Sequence, residues 1–269
     1  MTHDTVVTAS PAPSVVAPVC DTPDVSFVTV TFGTGAIAVD SIASLVDSLA
    51  AGRHSYEVIV VDNPHPLHAT FTDLALFTAG VRVVRPDRNL GFGGGCELGA
   101  MYARGGLLGF VNPDMSFPSG WLDPLITALG DDWAPSIVAP VLRDGDGSIQ
   151  EVGQMLDANG HTSPITTLPA GDQLMLVDYA SAACWLMTRD EHERLGGFDP
   201  AYHPAYFEDV DLALRARRAN GSCAVHAGVS VVHHRGHGTP DAPAPASEQH
   251  RILLDKWPEI AWTQPAASA

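Results

Sequence analysis

Apolar residues along the chain fall into short continuous runs, separated by stretches in which they recur at helical spacing. "VSFVTVTF" (25–32) is β-branched and aromatic, as a strand buried on both faces should be. "AVDSIASLVDSLAA" then shows helical spacing, and "YEVIVVDN" is a second buried strand ending at Asp62 and Asn63. "LHATFTDLALFTAG" predicts a helix over 67–80 and "VRVVR" a short strand. "NLGFGGGCELGAMYARG" predicts a glycine-rich turn running into a helix, and "LLGFVNPD" a fourth strand ending at Asp114. Strands alternating with helices predict a parallel sheet. Ligands bind such sheets beyond the carboxyl ends of the strands, where Asp62 and Asp114 both stand.

After residue 118 the rhythm changes. "PSIVAPVLRDGDGSI" predicts a strand and a turn, with "DGDG" as the turn signal. "QLMLVDYASAACWLMT" predicts one or two strands, and "RDEHERLGGF" a short helix with a glycine stop. An acidic helix "YFEDVDLALRARRANG" (206–221) follows, then a strand pair in "SCAVHAGVSVVHH". The Pro-rich "TPDAPAPA" and a final helix, "SEQHRILLDKW", close the chain. This divides it into an N-terminal arm (1–24), a main domain (25–240) and a Pro-rich linker with a C-terminal helix (241–269). Within the main domain, 25–117 reads as a nucleotide-binding half and 118–240 as an acceptor half on the same sheet.

Length and composition add limits. The 269 residues, 45% of them hydrophobic, suit one large globular domain or two small ones. A formal net charge of −17, with Lys256 as the single lysine, argues against nucleic acid and anionic lipid as partners. No apolar run has the length of a membrane span. The opening segment lacks a basic start and is broken by prolines, unlike a signal peptide. Cys20, Cys96, Cys184 and Cys223 are scattered, so reduced thiols in a cytoplasm are expected.

Five stretches carry candidate chemistry. An Asp at a strand end either caps the next turn or serves a ligand. On the second reading Asp62 hydrogen-bonds a base or ribose, and Asp114 holds Mg2+ or Mn2+ carrying a diphosphate, since these cations take carboxylate and phosphate oxygens. "NLGFGGG" fits neither the Walker loop nor the dinucleotide fingerprint. It allows either close approach to an anion at a helix N-terminus or tight helix–strand packing. His233, His234 and His237 in "VVHHRGHG" are idle loop histidines or cation ligands, and the lack of Cys ligands argues against structural zinc. Glu208, Asp209 and Asp211 complement a helix dipole or work as catalytic carboxylates.

Taken in order, "TVTF", "VVDN", "NLGFGGG", "NPD", "GGFD…YFEDVDLALR" and "VVHHRGHGT" resemble the family 2 glycosyltransferases of the GT-A fold. The likeness is greatest to the bacterial rhamnosyltransferase and galactofuranosyltransferase branch. It implies an α/β architecture, a Rossmann-like mainly parallel sheet flanked by helices with a smaller acceptor-side sheet. It also implies that Thr31 and Asp62 sit at the donor nucleotide and that Asn89, Gly91 and Gly93 line the donor pocket. "NPD" stands where the family carries Asp-x-Asp, with Asn112 in place of the first acid and Asp114 as ligand to Mn2+ or Mg2+. His233 completes the metal site, or His234 if the register shifts by one. Asp209 falls on the catalytic base, with Glu208 beside it, and Asp211 continues the motif. Glu97 departs from the family pattern, in which Asn is more usual.

The expected activity is inverting transfer of a sugar, a deoxysugar such as rhamnose being favoured, from a dTDP- or UDP-linked donor to an acceptor hydroxyl. Tyr179 and Trp185, lying between the donor half and the acidic helix, are expected to border the acceptor pocket; core packing is the alternative. A sugar, metabolite or natural product is the expected acceptor, with a lipid-linked glycan and a homodimer left open. A non-catalytic nucleotide-sugar-binding protein is one alternative. A nucleotidyltransferase is another, but "TFGTGAIAVD" lacks the glycine- and arginine-rich loop it expects.

Overall fold

In the computed structural model, which describes residues 21–66, 81–130, 134–171, 173–234 and 247–258, the N-terminal alternation forms as predicted. Strands β1 (Val25–Phe32), β2 (Tyr56–Asn63), β3 (Val81–Val84) and β4 (Leu107–Val111) pair in parallel, in the order β4-β1-β2-β3. β1 and β2 are buried over nearly their whole length, as strands covered on both faces must be. Helix α1 (Gly35–Leu49) buries Ala38, Ile42, Leu45 and Leu49, the i, i+4, i+7 stripe legible in the sequence. The helix predicted over 67–80, His237, the Pro-rich segment and most of the N-terminal arm lie outside the described residues.

Helix α2 (Gly91–Tyr102) corrects the expected glycine-rich turn, because the glycines lie inside the helix. A Cβ on Gly99 would stand 2.3 Å from Val28 Cγ1, so its missing side chain lets α2 seat directly on β1. For this part of the stretch, tight helix–strand packing is the operative reading.

The chain beyond β4 extends the same sheet. It comprises β5 (Met115–Ser116), α3 (Leu122–Leu129), β6 (Ile137–Arg143), β7 (Ile149–Glu151), β8 (Gln154–Leu156), β9 (Thr162–Pro164), β10 (Leu174–Val177), β11 (Cys184–Thr188), α4 (Arg189–Leu195), α5 (Glu208–Arg218), β12 (Cys223–His233) and α6 (Ser247–Lys256). β11 runs antiparallel between β4 and β6 and so joins the halves; the full order is β10-β12-β6-β11-β4-β1-β2-β3. β8 and β9 make a separate two-stranded sheet. "SCAVHAGVSVVHH" is not a strand pair but the single strand β12, whose register shifts between His226 and Ser230. A bulge at this shift carries the "HAG" stretch without breaking the strand. Cys96, Cys184 and Cys223 are free and buried.

Candidate active site

The carboxyl edge of the parallel strands is pinned by short polar contacts. Parallel pairing sets Thr31 opposite Asp62. Thr31 Oγ1 donates to Asp62 Oδ1 at 3.0 Å, and Arg85 Nε donates to Oδ2 at 3.1 Å. Asn63, which the sequence reading assigned no role, accepts from Leu90 N at 2.9 Å and donates to Gly91 O at 3.2 Å. Asn89 Oδ1 accepts from Gly91 N at 2.8 Å. Gly91 has φ +73°, and a Cβ there would meet Pro204 O at 2.3 Å. Freed of that clash, Phe92 N donates to Pro204 O at 2.7 Å and draws the loop before α5 onto the start of α2. Gly93 faces Phe198 and Glu208. Glu97 accepts from His192 Nε2 at 2.9 Å and from Phe198 N at 2.7 Å, anchoring the "GGFD" loop.

Asp114 and His233 meet because β5 pairs antiparallel with the end of β12. Asp114 Oδ1 lies 3.3 Å from His233 Nε2, and both side chains are largely buried. Asn112 Nδ2 reaches the same Nε2 at 3.4 Å, while Nδ1 donates to Gln150 Oε1 at 3.1 Å. A second partner of this kind fixes the tautomer and leaves Nε2 free as a ligand. His234 turns the other way, to Ser116 Oγ at 2.8 Å. Two ligands on adjacent corners of an octahedral Mn2+ or Mg2+ stand roughly 3 Å apart, so the Asp114–His233 pair fits such an ion. Among the described residues, no group of three or more His, Cys, Asp or Glu side chains is arranged to hold a metal.

The acidic motif splits across its helix. Tyr206 and Phe207 enter α5 with positive φ, 83° and 68°, conformations that bulky residues hold only where the surroundings enforce them. Glu208 and Asp209 then face a cavity of about 680 Å³, which Asn112 also lines. That volume suits a small ligand. Asp209 Oδ1 accepts from Val210 N at 2.8 Å, and Oδ2 from Ala182 N at 3.3 Å. The carboxyl is only partly exposed, and burial outweighs those two bonds to push it up to about 6, with Glu151 adding repulsion. Glu208 is buried, and burial with the neighbouring Asp209 holds its carboxyl well above the usual range. Its Oε2 has no hydrogen-bond partner.

Asp211, grouped with these two in the sequence, points away from the cavity, since a two-residue step on a helix turns about 200°. It is fully buried. It accepts from Arg215 Nε at 2.8 Å, Trp257 Nε1 at 2.8 Å and Lys256 Nζ at 3.0 Å, tying α5 to α6. Asp211→Ala should lower stability by about 3 kcal/mol, toward the low end for a broken buried pair because both cations reach solvent. Urea unfolding checks this; a loss under about 1 kcal/mol would deny Asp211 its anchoring role.

Tyr179 lines the cavity, but Trp185 does not. Trp185 is 1% exposed and stacks on Phe198 at 5.8 Å, so its assignment to the acceptor pocket is corrected to core packing. β11 is buried on both faces, and Trp185 packs in the core beside Phe110 of β4. Glu151, His161 and His250 line the cavity without having been singled out in the sequence. No local motif marks them, because they arrive from β7, the β8–β9 turn and α6.

Solved structures share this architecture. GalNAc-T7 with UDP, GalNAc and Mn2+ superimposes with a TM-score of 0.70 at 15% identity, covering 88% of this chain and 48% of that one. S. aureus TarS 1-349 in complex with UDP-GlcNAc gives 0.62 at 12% identity, covering 88% and 67%. The fold is that of the GT-A glycosyltransferases. The sequence profile of Glycosyl transferase family 2 matches residues 26–196, and the chain belongs to this family. The match ends before the acidic helix.

An N-acetylglucosaminyl-diphospho-decaprenol L-rhamnosyltransferase of Mycobacterium tuberculosis is 28% identical over 191 residues, 61% of this chain and 62% of that protein. The O-antigen biosynthesis protein RfbC of Myxococcus xanthus is 29% identical over 212 residues, 72% of this chain and 16% of that protein. The chain thus spans under two thirds of the length of either relative. Among the described residues, no helix is long and apolar enough to cross a membrane.

Proposed function

We propose that the protein is an inverting glycosyltransferase that moves a sugar, with a deoxysugar such as rhamnose favoured, from a nucleoside diphosphate to an acceptor hydroxyl. The observation that carries this reading is Asp209, a carboxylate tuned to about 6 and held by two backbone N–H groups on the wall of a ligand-sized cavity. In inverting transfer the acceptor hydroxyl attacks the anomeric carbon from the side away from the leaving group. Asp209 accepts the hydroxyl proton as the new bond forms. Glu208 lies beside this base, its own carboxyl held above the usual range by burial and by Asp209.

Asp114 and His233 would hold Mn2+ or Mg2+, with Asn112 between them and the cavity. A bound cation supplies Lewis-acid neutralisation of the charge developing on the departing diphosphate. Thr31 and Asp62 belong to the nucleotide end, and Asn89 with Gly91 and Gly93 shapes its boundary. Tyr179 belongs to the acceptor side. Membership in family 2 and the rhamnosyltransferase relative support the reaction class and the favoured sugar. GalNAc-T7 with UDP and Mn2+ supports the cation.

Thermal unfolding tests the reading. With Mn2+ present, UDP or dTDP should raise the melting temperature, because a ligand bound only by the folded state stabilises by about 2.7 kcal/mol at a hundred times its Kd. No rise with UDP, dTDP or GDP would remove the nucleotide-sugar donor from the proposal.

A further inference from the structure

Part of the cavity wall comes from segments beyond the motifs used above. His161, at the end of the β8–β9 turn, stacks on His250 of α6 with ring centres 5.1 Å apart and planes 27° apart. Phe207 adds a third ring, 5.4 Å from His250. The row is fixed from behind. His161 Nδ1 donates to Asp157 Oδ2 at 3.3 Å, and His250 Nε2 donates to Asn159 O at 2.8 Å. All three rings line the cavity that holds Asp209. Flat rings in a row offer what the apolar face of a pyranose needs, and hydrogen bonds that hold the imidazoles reduce the ordering required on binding.

The charge of the lining narrows the occupant. The described lining contains Glu151, Glu208 and Asp209 but no Arg or Lys. A phosphate entering here would lose water without gaining a cation, and would face carboxylates.

We propose that the His161–His250–Phe207 row is an acceptor subsite for an uncharged sugar ring, which packs against these rings and carries no phosphate into the cavity. The proposal rests on reading this cavity as the acceptor side. It sets the acceptor class as a neutral saccharide or glycoside terminus, with any phosphate beyond the reach of the cavity.

The test is saturation-transfer NMR on the whole chain in EDTA, with a panel of methyl hexosides, each paired with its hexose 1-phosphate. At least one methyl hexoside should receive saturation on its ring protons, with its 1-phosphate bound about tenfold more weakly or less. His250→Ala should weaken hexoside binding about tenfold, and His250→Phe, which keeps a flat ring, should bring it back to within about threefold of wild type. His161→Ala should weaken it in the same direction, so the result does not depend on one variant folding. Absence of any hexoside signal, equal binding of the 1-phosphates, or a His250→Phe variant as weak as His250→Ala overturns the proposal. Titration of UDP and dTDP with Mn2+ into separate samples reports on the donor reading independently, so either can fail while the other stands.

Discussion

Asp209→Asn should lower sugar transfer by about two to four orders of magnitude, the usual contribution of a positioned base, while nucleoside diphosphate affinity stays close to wild type. The side chain keeps its shape and one of its two backbone N–H bonds but can no longer take a proton, so a loss in rate at unchanged nucleotide affinity belongs to the transition state. A second signature is the pH profile. Because the carboxyl is pushed up to about 6, wild-type transfer should rise as the pH passes upward through that value and the base ionises. The residual activity of the variant should lack this rise.

Stability should move the opposite way. An acid whose folded value exceeds its unfolded value favours the fold only while protonated. Between about pH 4 and 6 the wild type should therefore lose stability relative to Asp209→Asn, and above about 6 the difference between the two should level off. Melting temperatures at the two ends of that range check this. A near wild-type rate for Asp209→Asn, with Glu208→Gln inactive, would move the base to the neighbour.

Asp114→Ala should abolish cation-dependent nucleotide binding. Wild-type protein at saturating UDP or dTDP should bind more tightly with Mn2+ than without it, and the variant should show no such difference. His233→Ala should retain a weakened difference, since Asp114 remains. His234→Ala should behave as wild type, because that ring bonds Ser116 instead of facing Asp114. Titration calorimetry with and without Mn2+ reads all three. Equal wild-type affinity in both conditions would dismiss the metal from the mechanism.

The contrast between His233 and His234 illustrates what a linear reading leaves open. Histidines side by side at a strand end point to opposite faces, and pairing decides which one meets Asp114. That pairing is between β12 and β5, which are more than a hundred residues apart in the chain. Similarly, "EDVD" announces a cluster of acids, yet the turn of the helix sends Glu208 and Asp209 to the cavity and Asp211 to Arg215, Lys256 and Trp257. Trp185 and Tyr179 belong to one aromatic stretch, and only the packing of β11 between β4 and β6 buries the first and leaves the second on the cavity.

What the sequence determined by itself is local and periodic. Continuous apolar runs ending in Asp62 and Asp114 specify strands covered on both faces, because apolar side chains on successive positions must be buried on either side of the sheet. Helical spacing specifies α1, and the order of motifs specifies the family. The tertiary structure decided everything that depends on contacts distant in the chain. Gly99 is a packing residue because Val28 lies beneath it. Asn63 is an anchor because the start of α2 lies at the end of β2, and Glu97 because a loop from residue 198 onward comes to rest on α2. His161 and His250 form a wall because α6 packs over the β8–β9 turn. Periodicity records which face of an element is apolar; which face of another element it meets is set by the packing of the whole chain.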